Sequence, residues 1–465
     1  MRILGRLGLS ARTHLLLEKH LTGETMDYRR IMALFFPVLI DQTFIVGLNL
    51  LNTAMISSSG VDAISAVSMV DTLNILFIQI FIAMATGGTV VVAQYKGSGN
   101  PSMVSTAAAG TIAAVSLLSL AIGLFVALLH GPLLGLLFGS ATPEVLGSAS
   151  TYLIGSGLSY MGLGIVQAVN AAMRGVGRTR VSMALSLIMN GLYVLLNLLL
   201  VIGLDMGVPG MTIAVNVARY AAAICALVVV LRMDTELRLR LRELVRVPWS
   251  MFKKMMAVGI PFAAEQVFFN GGKMMTQVFI VGMGTYAIAA NAISGSLAML
   301  YQVPSMALSL TLVTVVGQCV GARHFDDARK FIRGFLWLSA LFFTVMALVL
   351  LPLFYPMVRL FNPPDAIIGD VFWIVLINAL AQIPLWGISF VLPAGLRAAG
   401  DARYTSVIAM LSMWLFRIGL GYVLGVVLGI GIIGVWIAMN GEWGVRGLLF
   451  WRRYRSGKWQ ARSLV

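Results

Sequence analysis

PSMVSTAAAGTIAAVSLLSLAIGLFVALLH, residues 101–130, contains no Lys, Arg, Asp or Glu. The charge-free run extends outward from it, back to Lys96 and on to Glu144, and a second one separates Lys273 from Arg323. A bilayer-crossing helix needs about 20 predominantly apolar residues, so both runs are long enough to cross. Of the 465 residues, 59% are hydrophobic and only 11% charged, against roughly 25% charged in soluble domains. That balance excludes a water-soluble fold. The 48 Gly and 14 Pro predict kinked, closely packed helices, which membrane neighbours tolerate. The fold class is therefore all-α and polytopic.

Apolar runs between charged or Gly/Pro-rich breaks predict twelve transmembrane helices, near 29–57, 64–95, 104–130, 145–173, 180–204, 208–232, 252–281, 287–319, 331–352, 368–396, 404–428 and 431–451. Cytoplasmic loops collect Lys and Arg. Arg359 is the one basic residue on one set of alternate connections, and Arg219, Lys273 and Arg417 fall inside spans. Every other Lys and Arg is counted with the N-terminal arm, the opposite connections or the C-terminal tail, Arg446 near the end of the last span included. This asymmetry predicts a multi-pass protein of the cell inner (plasma) membrane with both termini cytoplasmic. It also accounts for the net charge of +15 through topology and anionic lipid, without nucleic acid. The expected organisation is a cytoplasmic arm (1–28, read as an interfacial helix), an N-terminal six-helix lobe (29–232), a linker (233–251), a C-terminal six-helix lobe (252–451) and a cytoplasmic tail (452–465), in a monomer. Cys225 and Cys319 alone exclude a disulfide framework or a CxxC metal site. No phosphate-binding loop, nucleophile elbow or HExxH pattern occurs, so neither an enzyme nor a cofactor is expected.

The halves repeat. PVLIDQTF (37–44) matches PFAAEQVF (261–268) at an offset of 224, and Gly60, Ala63, Ile64 and Ala66 recur as Gly284, Ala287, Ile288 and Ala290. Gln94 and Gly97 recur as Gln318 and Gly321, GVPGMTIAVN (207–216) as GIIGVWIAMN (431–440), and RGVGRTR (174–180) as RAAGDAR (397–403). A duplicated six-helix unit enters the membrane twice with the same orientation. The expected lobes are related by a pseudo-twofold axis along the membrane normal, with a substrate cavity between them and alternating access by rocking, as in secondary transporters.

An ionised side chain at mid-bilayer costs roughly 2.5–3.5 kcal/mol on insertion scales, so such residues face a cavity or a partner. Asp41 on the first span and Glu265 at the identical place on the seventh each follow a proline by four residues. Each is a candidate to bind and release a proton or, with further oxygens, sodium. The structural alternative is an ion pair, for Glu265 with Lys273 eight residues on. Asn190 and Asn197 lie two turns apart on one face of the fifth span, with Tyr193 between them. These join Asp41 and Glu265 as the cation-coupling candidates. Gln42, Asn52, Asn270, Lys273, Gln277 and Met274 are the substrate-cavity candidates, Met274 as one of a cluster with Met275, Met283, Met299 and Met306 that suits ligands of differing shape. Arg219 and Arg417 require partners, a structural salt bridge being the expected role, and Asp71 is placed near the membrane interface.

The P-x3-D-Q segment of the first span, GVDAISAV before the second, VVVAQYKGSGN after it, MRGVGRTR after the fourth, LRAAGDAR after the tenth and the closing WRRYRSGKW together resemble the multidrug and toxic compound extrusion (MATE) transporters, over about residues 28–460. The resemblance implies an exporter of amphiphilic, often cationic, organic compounds driven by inward H+ or Na+. It implies a cation site at Asp41 with the 190–197 segment, and a seventh-helix acid at Glu265. Many members carry Asp and Asn where this chain has Asn197 and Tyr193, and Leu385 stands about where some carry an Asp on the tenth helix. By that subtraction H+ is favoured over Na+, with Na+ at Asp41 the remaining metal-ion option. The alternative function is a flippase for a lipid-linked precursor on a related fold, whose anionic head group would need cavity-facing Arg or Lys.

Overall fold

A computed structural model describes residues 11–56, 60–139, 141–233, 237, 239, 243, 244 and 246–465; side chains at 11–13, 49–56, 61 and 233 fall outside the described set. The helices are α1 (Ala11–Leu21), α2 (Tyr28–Ile56), α3 (Val61–Gly97), α4 (Pro101–Leu128), α5 (His130–Phe138), α6 (Pro143–Gly175), α7 (Thr179–Asn197) and α8 (Gly207–Val228). They continue as α9 (Trp249–Gly282), α10 (Thr285–Gly321), α11 (Phe325–Leu350), α12 (Phe354–Arg359), α13 (Asp365–Trp386), α14 (Leu392–Ala398), α15 (Ala402–Ser412) and α16 (Ile432–Arg455). Wider π-helical turns continue α7 (Leu198–Gly203) and α8 (Val229–Met233), join α13 to α14 (Gly387–Val391), and follow α15 (Met413–Leu420, Val423–Val427). Among the described residues there is no strand, and every one of the twelve expected spans is occupied by helix. Ten of these helices are long and apolar enough to cross a membrane. Neither α9 nor α16 is among the ten, because Glu265, Lys273, Glu442 and Arg446 interrupt them.

Local chemistry sets the boundaries. Asn100 caps α4 by accepting a bond from the Met103 amide (3.2 Å), and Pro101 occupies the first turn, where no donor is lost. The repeated Gly60 and Gly284 precede α3 and α10 with φ of 94° and 100°, a region that a side chain would strain. Pro37 and Pro261 lie inside α2 and α9. Each lacks the amide that would have bonded the carbonyl of Ala33 or Ala257 one turn back, so one helical hydrogen bond is missing just ahead of Asp41 and Glu265 although the helices continue.

The chain groups into two units. One comprises Phe36–Ala263 with Val465, the other the residues through Phe35 with Ala264–Leu464. The divisions fall inside α2 and α9, just before or after their prolines, rather than at 28/29 and 251/252 where the sequence places the lobe boundaries. In the first unit, the opening turns of α9 are fastened to α3: Lys254 donates to the Tyr95 hydroxyl (2.7 Å), and a Cβ on Gly87 would lie 2.7 Å from the Met255 carbonyl. In the second, the opening turns of α2 belong with α11, where Phe35 stacks on Phe342 at 5.8 Å. The arm is fastened there too. His20 stacks on Trp337 at 5.1 Å, and the Thr25 amide and hydroxyl each donate to Asp327 Oδ2 at 2.7 Å. The tail is equally tied down, with Trp459 fully buried and Arg453 donating twice to Asp401 (2.7 and 3.1 Å).

Within the first unit α4 and α6 approach so closely that a Cβ on Gly123 would run into the Gly157 carbonyl oxygen. A backbone atom cannot rotate aside, so Gly123→Ala is expected to cost roughly 1–3 kcal/mol. The check is the thermal midpoint of the purified protein in detergent; an unchanged midpoint would mean that the helices part there without penalty.

Candidate functional site

In the unit Phe36–Ala263, Asp41 is 5% exposed. The Ser186 hydroxyl and the Gln42 amide are its hydrogen-bonding neighbours, and Arg174 is the cation in electrostatic reach. Its Oδ1 is buried without a hydrogen-bond partner. Arg174, in the last turn of α6, also donates to the Ser182 hydroxyl (3.3 Å). Asn190 lies one turn beyond Ser186 on α7, but its amide donates to the Ser186 carbonyl (3.0 Å). Asn197 is buried with both amide atoms unbonded, where α7 widens into its π turns.

Tyr193 goes elsewhere, to Tyr152 and the network around Asp71. In that network Asp71 Oδ1 accepts from the Asn74 amide (3.1 Å) and the Tyr152 hydroxyl (3.3 Å), and the Tyr160 hydroxyl donates to Asn74 Oδ1 (2.6 Å). Asp71 is thus hydrogen-bonded into the helix packing. Arg219 is in electrostatic reach of it and donates to Ser159 (2.7 Å), a hydrogen bond where a salt bridge was expected.

In the unit holding Ala264–Leu464, Glu265 Oε2 accepts from the Ser406 hydroxyl (2.9 Å) and pairs with Arg397 Nη1 (3.4 Å). Its partner is therefore Arg397, not Lys273. The settings are duplicated in part: Arg397 recurs from Arg174 at an offset of 223 and Ser406 from Ser182 at 224, but Ser182 accepts from Arg174 while the hydroxyl beside Asp41 is that of Ser186. Each acid stands on the first helix of its repeat, each arginine closes the fourth, and each serine lies early on the fifth.

Deeper in the same unit lies a cluster that the sequence reading missed. Glu442 on α16 is fully buried and paired with Arg417 (3.4 Å) and Arg446 (3.2 Å), and it accepts from the Ser412 hydroxyl (3.0 Å). Arg446 also donates to Ser389 (2.9 Å) and lies over the Phe390 ring. Both Arg417 and Ser389 sit in π-helical turns, which displace side chains relative to an α-helical register. The expected salt bridge of Arg417 is present. Arg446, assigned from the sequence to the cytoplasmic tail, is 2% exposed inside α16.

The substrate-cavity candidates divide. Lys273 and Met274 are exposed on α9, with Lys273 Nζ 4.8 Å from the Phe269 ring centroid. Asn270 returns its amide to the Gln266 carbonyl (2.8 Å). Gln277 Oε1 accepts from Asn291, whose own Oδ1 accepts from the Trp436 indole (3.3 and 3.1 Å). The side chain of Asn52 lies outside the described residues. Among the described residues no group of His, Cys, Asp and Glu could hold a metal ion.

Apolar spanning helices in two repeats, each with an acid four residues after an intrahelical proline, define a multi-pass membrane transporter of the duplicated-bundle class. The MatE family model matches residues 37–199 and again 261–423, and the chain belongs to that family, whose members are transporters and not enzymes. The two matched segments begin and end 224 residues apart, the offset at which the sequence repeats. A protein of Bacillus subtilis (strain 168) described as "Uncharacterized transporter YisQ" is 27% identical over 445 residues, covering 94% of this chain and 96% of that one. "Probable multidrug resistance protein NorM" of Thermotoga maritima is 29% identical over 311 residues, 66% of each chain. Solved structures share the fold. An outward-facing multidrug resistance MATE family transporter of the MOP superfamily superposes with a TM-score of 0.84 at 18% identity, over 96% of this chain and 98% of that one. A MATE crystal structure in the bent conformation gives 0.85 at 17% identity, with the same coverage.

Proposed function

We propose that this chain is a proton-coupled antiporter that exports amphiphilic organic compounds, cations among them, by alternating access across the plasma membrane, with both termini cytoplasmic. The observation that carries the reading is Asp41: a carboxylate 5% exposed at membrane depth, with one oxygen unbonded, next to the turn that Pro37 disturbs. A proton needs one free oxygen, whereas a sodium ion needs several converging ones. Tyr193 joins the Asp71 network instead, and Arg174 adds positive charge nearby, which opposes a resident sodium ion. The names of the curated relatives support multidrug export.

Coupling requires that protonation favour one state of the transporter over the other, because an ion with equal affinity for both shifts nothing. Proteoliposomes loaded with cationic dyes, with proton and sodium gradients imposed separately, test the proposal. Dye efflux should follow the inward proton gradient and ignore the sodium gradient. Efflux indifferent to both gradients would overturn the antiport reading, and efflux driven by sodium alone would overturn the choice of ion.

A further inference from the structure

This inference rests on the proton-coupled reading and deepens it by naming a route to Asp41. Polar side chains of α7 form one stripe: Ser186, Asn190, Tyr193 and Asn197 follow one another at steps of four, three and four residues, which places them on a single helix face. At one end the Ser186 hydroxyl is a hydrogen-bonding neighbour of Asp41. Two turns further on, Tyr193 bonds to Tyr152, whose hydroxyl donates to Asp71 (3.3 Å). Two acids of the unit Phe36–Ala263 are thus linked along one helix, with Asn190 between their contacts.

Their depths differ in the direction that an inward proton travels. With both termini cytoplasmic, α3 starts on the outer side, and Asp71 lies ten residues beyond Val61, about 15 Å of rise. Asp41 lies fifteen residues before Ile56, where α2 ends on that same side, about 22 Å. Asp71 is therefore the shallower acid, and it is partly exposed where Asp41 is buried. The polar groups around it are Asn74 on its own helix, Tyr152 and Tyr160 on α6, Tyr193 on α7 and Arg219 on α8. Among the described residues none of these forms an ion pair with Asp71, since Arg219 donates to Ser159 (2.7 Å), whereas Glu265 is paired with Arg397.

The arrangement is not part of the duplicated framework. At the offset of 224, Gly295 stands for Asp71, Ala298 for Asn74 and Arg417 for Tyr193. A network needed only to pack the six-helix unit should recur in both copies, and this one does not.

We infer that Asp71 is the outer proton acceptor of this transporter and that Tyr152 and Tyr193 relay the proton from it towards Asp41. Asp71 takes a proton from the outer solution and passes it to the Tyr152 oxygen; the Tyr152 proton moves to the Tyr193 oxygen. The Tyr193 proton travels through water along the α7 stripe, past Asn190, to the Asp41 carboxylate. One proton leaves Asp71, one arrives at Asp41, and both tyrosines end neutral.

The test is the initial rate of proton-driven dye efflux in proteoliposomes, set beside the leak-corrected dye ratio finally reached. A relay sets the rate, while the gradient fixes the end point. Asp71→Asn keeps an oxygen for Asn74 and Tyr152 but cannot carry the proton. Its initial rate should fall roughly tenfold or more, on the scale that a positioned proton-transfer group contributes, with the final ratio unchanged. Tyr193→Phe should be slowed similarly, the double variant should be no slower than either single one, and Asp71→Glu should recover most of the rate. Full-rate efflux in Asp71→Asn or in Tyr193→Phe would overturn the relay and leave proton coupling at Asp41 standing. A final ratio that collapses together with the rate in Asp71→Asn would place Asp71 in the coupling site itself and overturn the relay as well. An unaltered protein that ignores the proton gradient would overturn the coupling reading and the relay with it.

Discussion

In the Asp41→Asn protein, proton-driven dye efflux falls to the leak rate while the protein remains folded. The amide has the shape of the carboxylate and keeps an oxygen for Ser186 and Gln42, but it carries no ionisable proton site. The lost driving force is large. Each coupled charge moving through 100 mV contributes about 2.3 kcal/mol, so the steady-state concentration ratio should drop roughly 50-fold. Folding should be little affected, since Oδ1 has no hydrogen bond to lose. The measurement is efflux in proteoliposomes under an imposed pH gradient, alongside a thermal melt in detergent. Undiminished efflux would remove Asp41 from the mechanism; a collapsed melt would assign it to structure.

The largest stability effect is expected at Glu442. Glu442→Leu leaves Arg417 and Arg446 close together, 5% and 2% exposed, with no counter-charge. Breaking a buried ion pair from one side typically costs about 3–5 kcal/mol, whereas replacing the whole set by apolar residues of similar volume is often neutral. The single variant should therefore melt many degrees lower, or fail to accumulate. The triple variant Glu442→Leu, Arg417→Met, Arg446→Met should recover most of the loss. If the triple variant is as unstable as the single one, the cluster contributes through shape and not through charge balance.

The helical framework was legible because lipid imposes it: a span needs length, apolarity and a polar break, and all three are written locally. The observed helices cover the expected spans in the same order, and the main differences are at their ends, as where the ninth starts at Phe325 instead of 331. Those ends misled the site reading. Arg174 and Arg397 stand in motifs that look like loop charge, yet α6 runs on to Gly175 and α14 to Ala398, so each arginine occupies a last turn and reaches its acid. The duplication could have revealed this, since acid, arginine and serine all recur near one offset. Glu442 was overlooked for a related reason. Its partner Arg446 is four residues on, an ordinary helical ion-pair spacing, but it was counted with the basic tail. Residue propensity does not anticipate the π-helical turns that carry Arg417 and Ser389, because they arise from packing.

The opening turns of α2 and α9 have a consequence for how such a chain can be divided. Tyr28–Phe35 groups with residues 264–464, while Trp249–Ala263 groups with residues 36–263. A scission within 233–251 would therefore leave each fragment holding residues that belong to its counterpart's core, the arm with the opening turns of α2 in one and the fifteen residues Trp249–Ala263 in the other. The halves are reciprocally incomplete, like the swapped arms of a dimer whose subunits have been spliced into one polypeptide, and only both fragments made together could rebuild the whole.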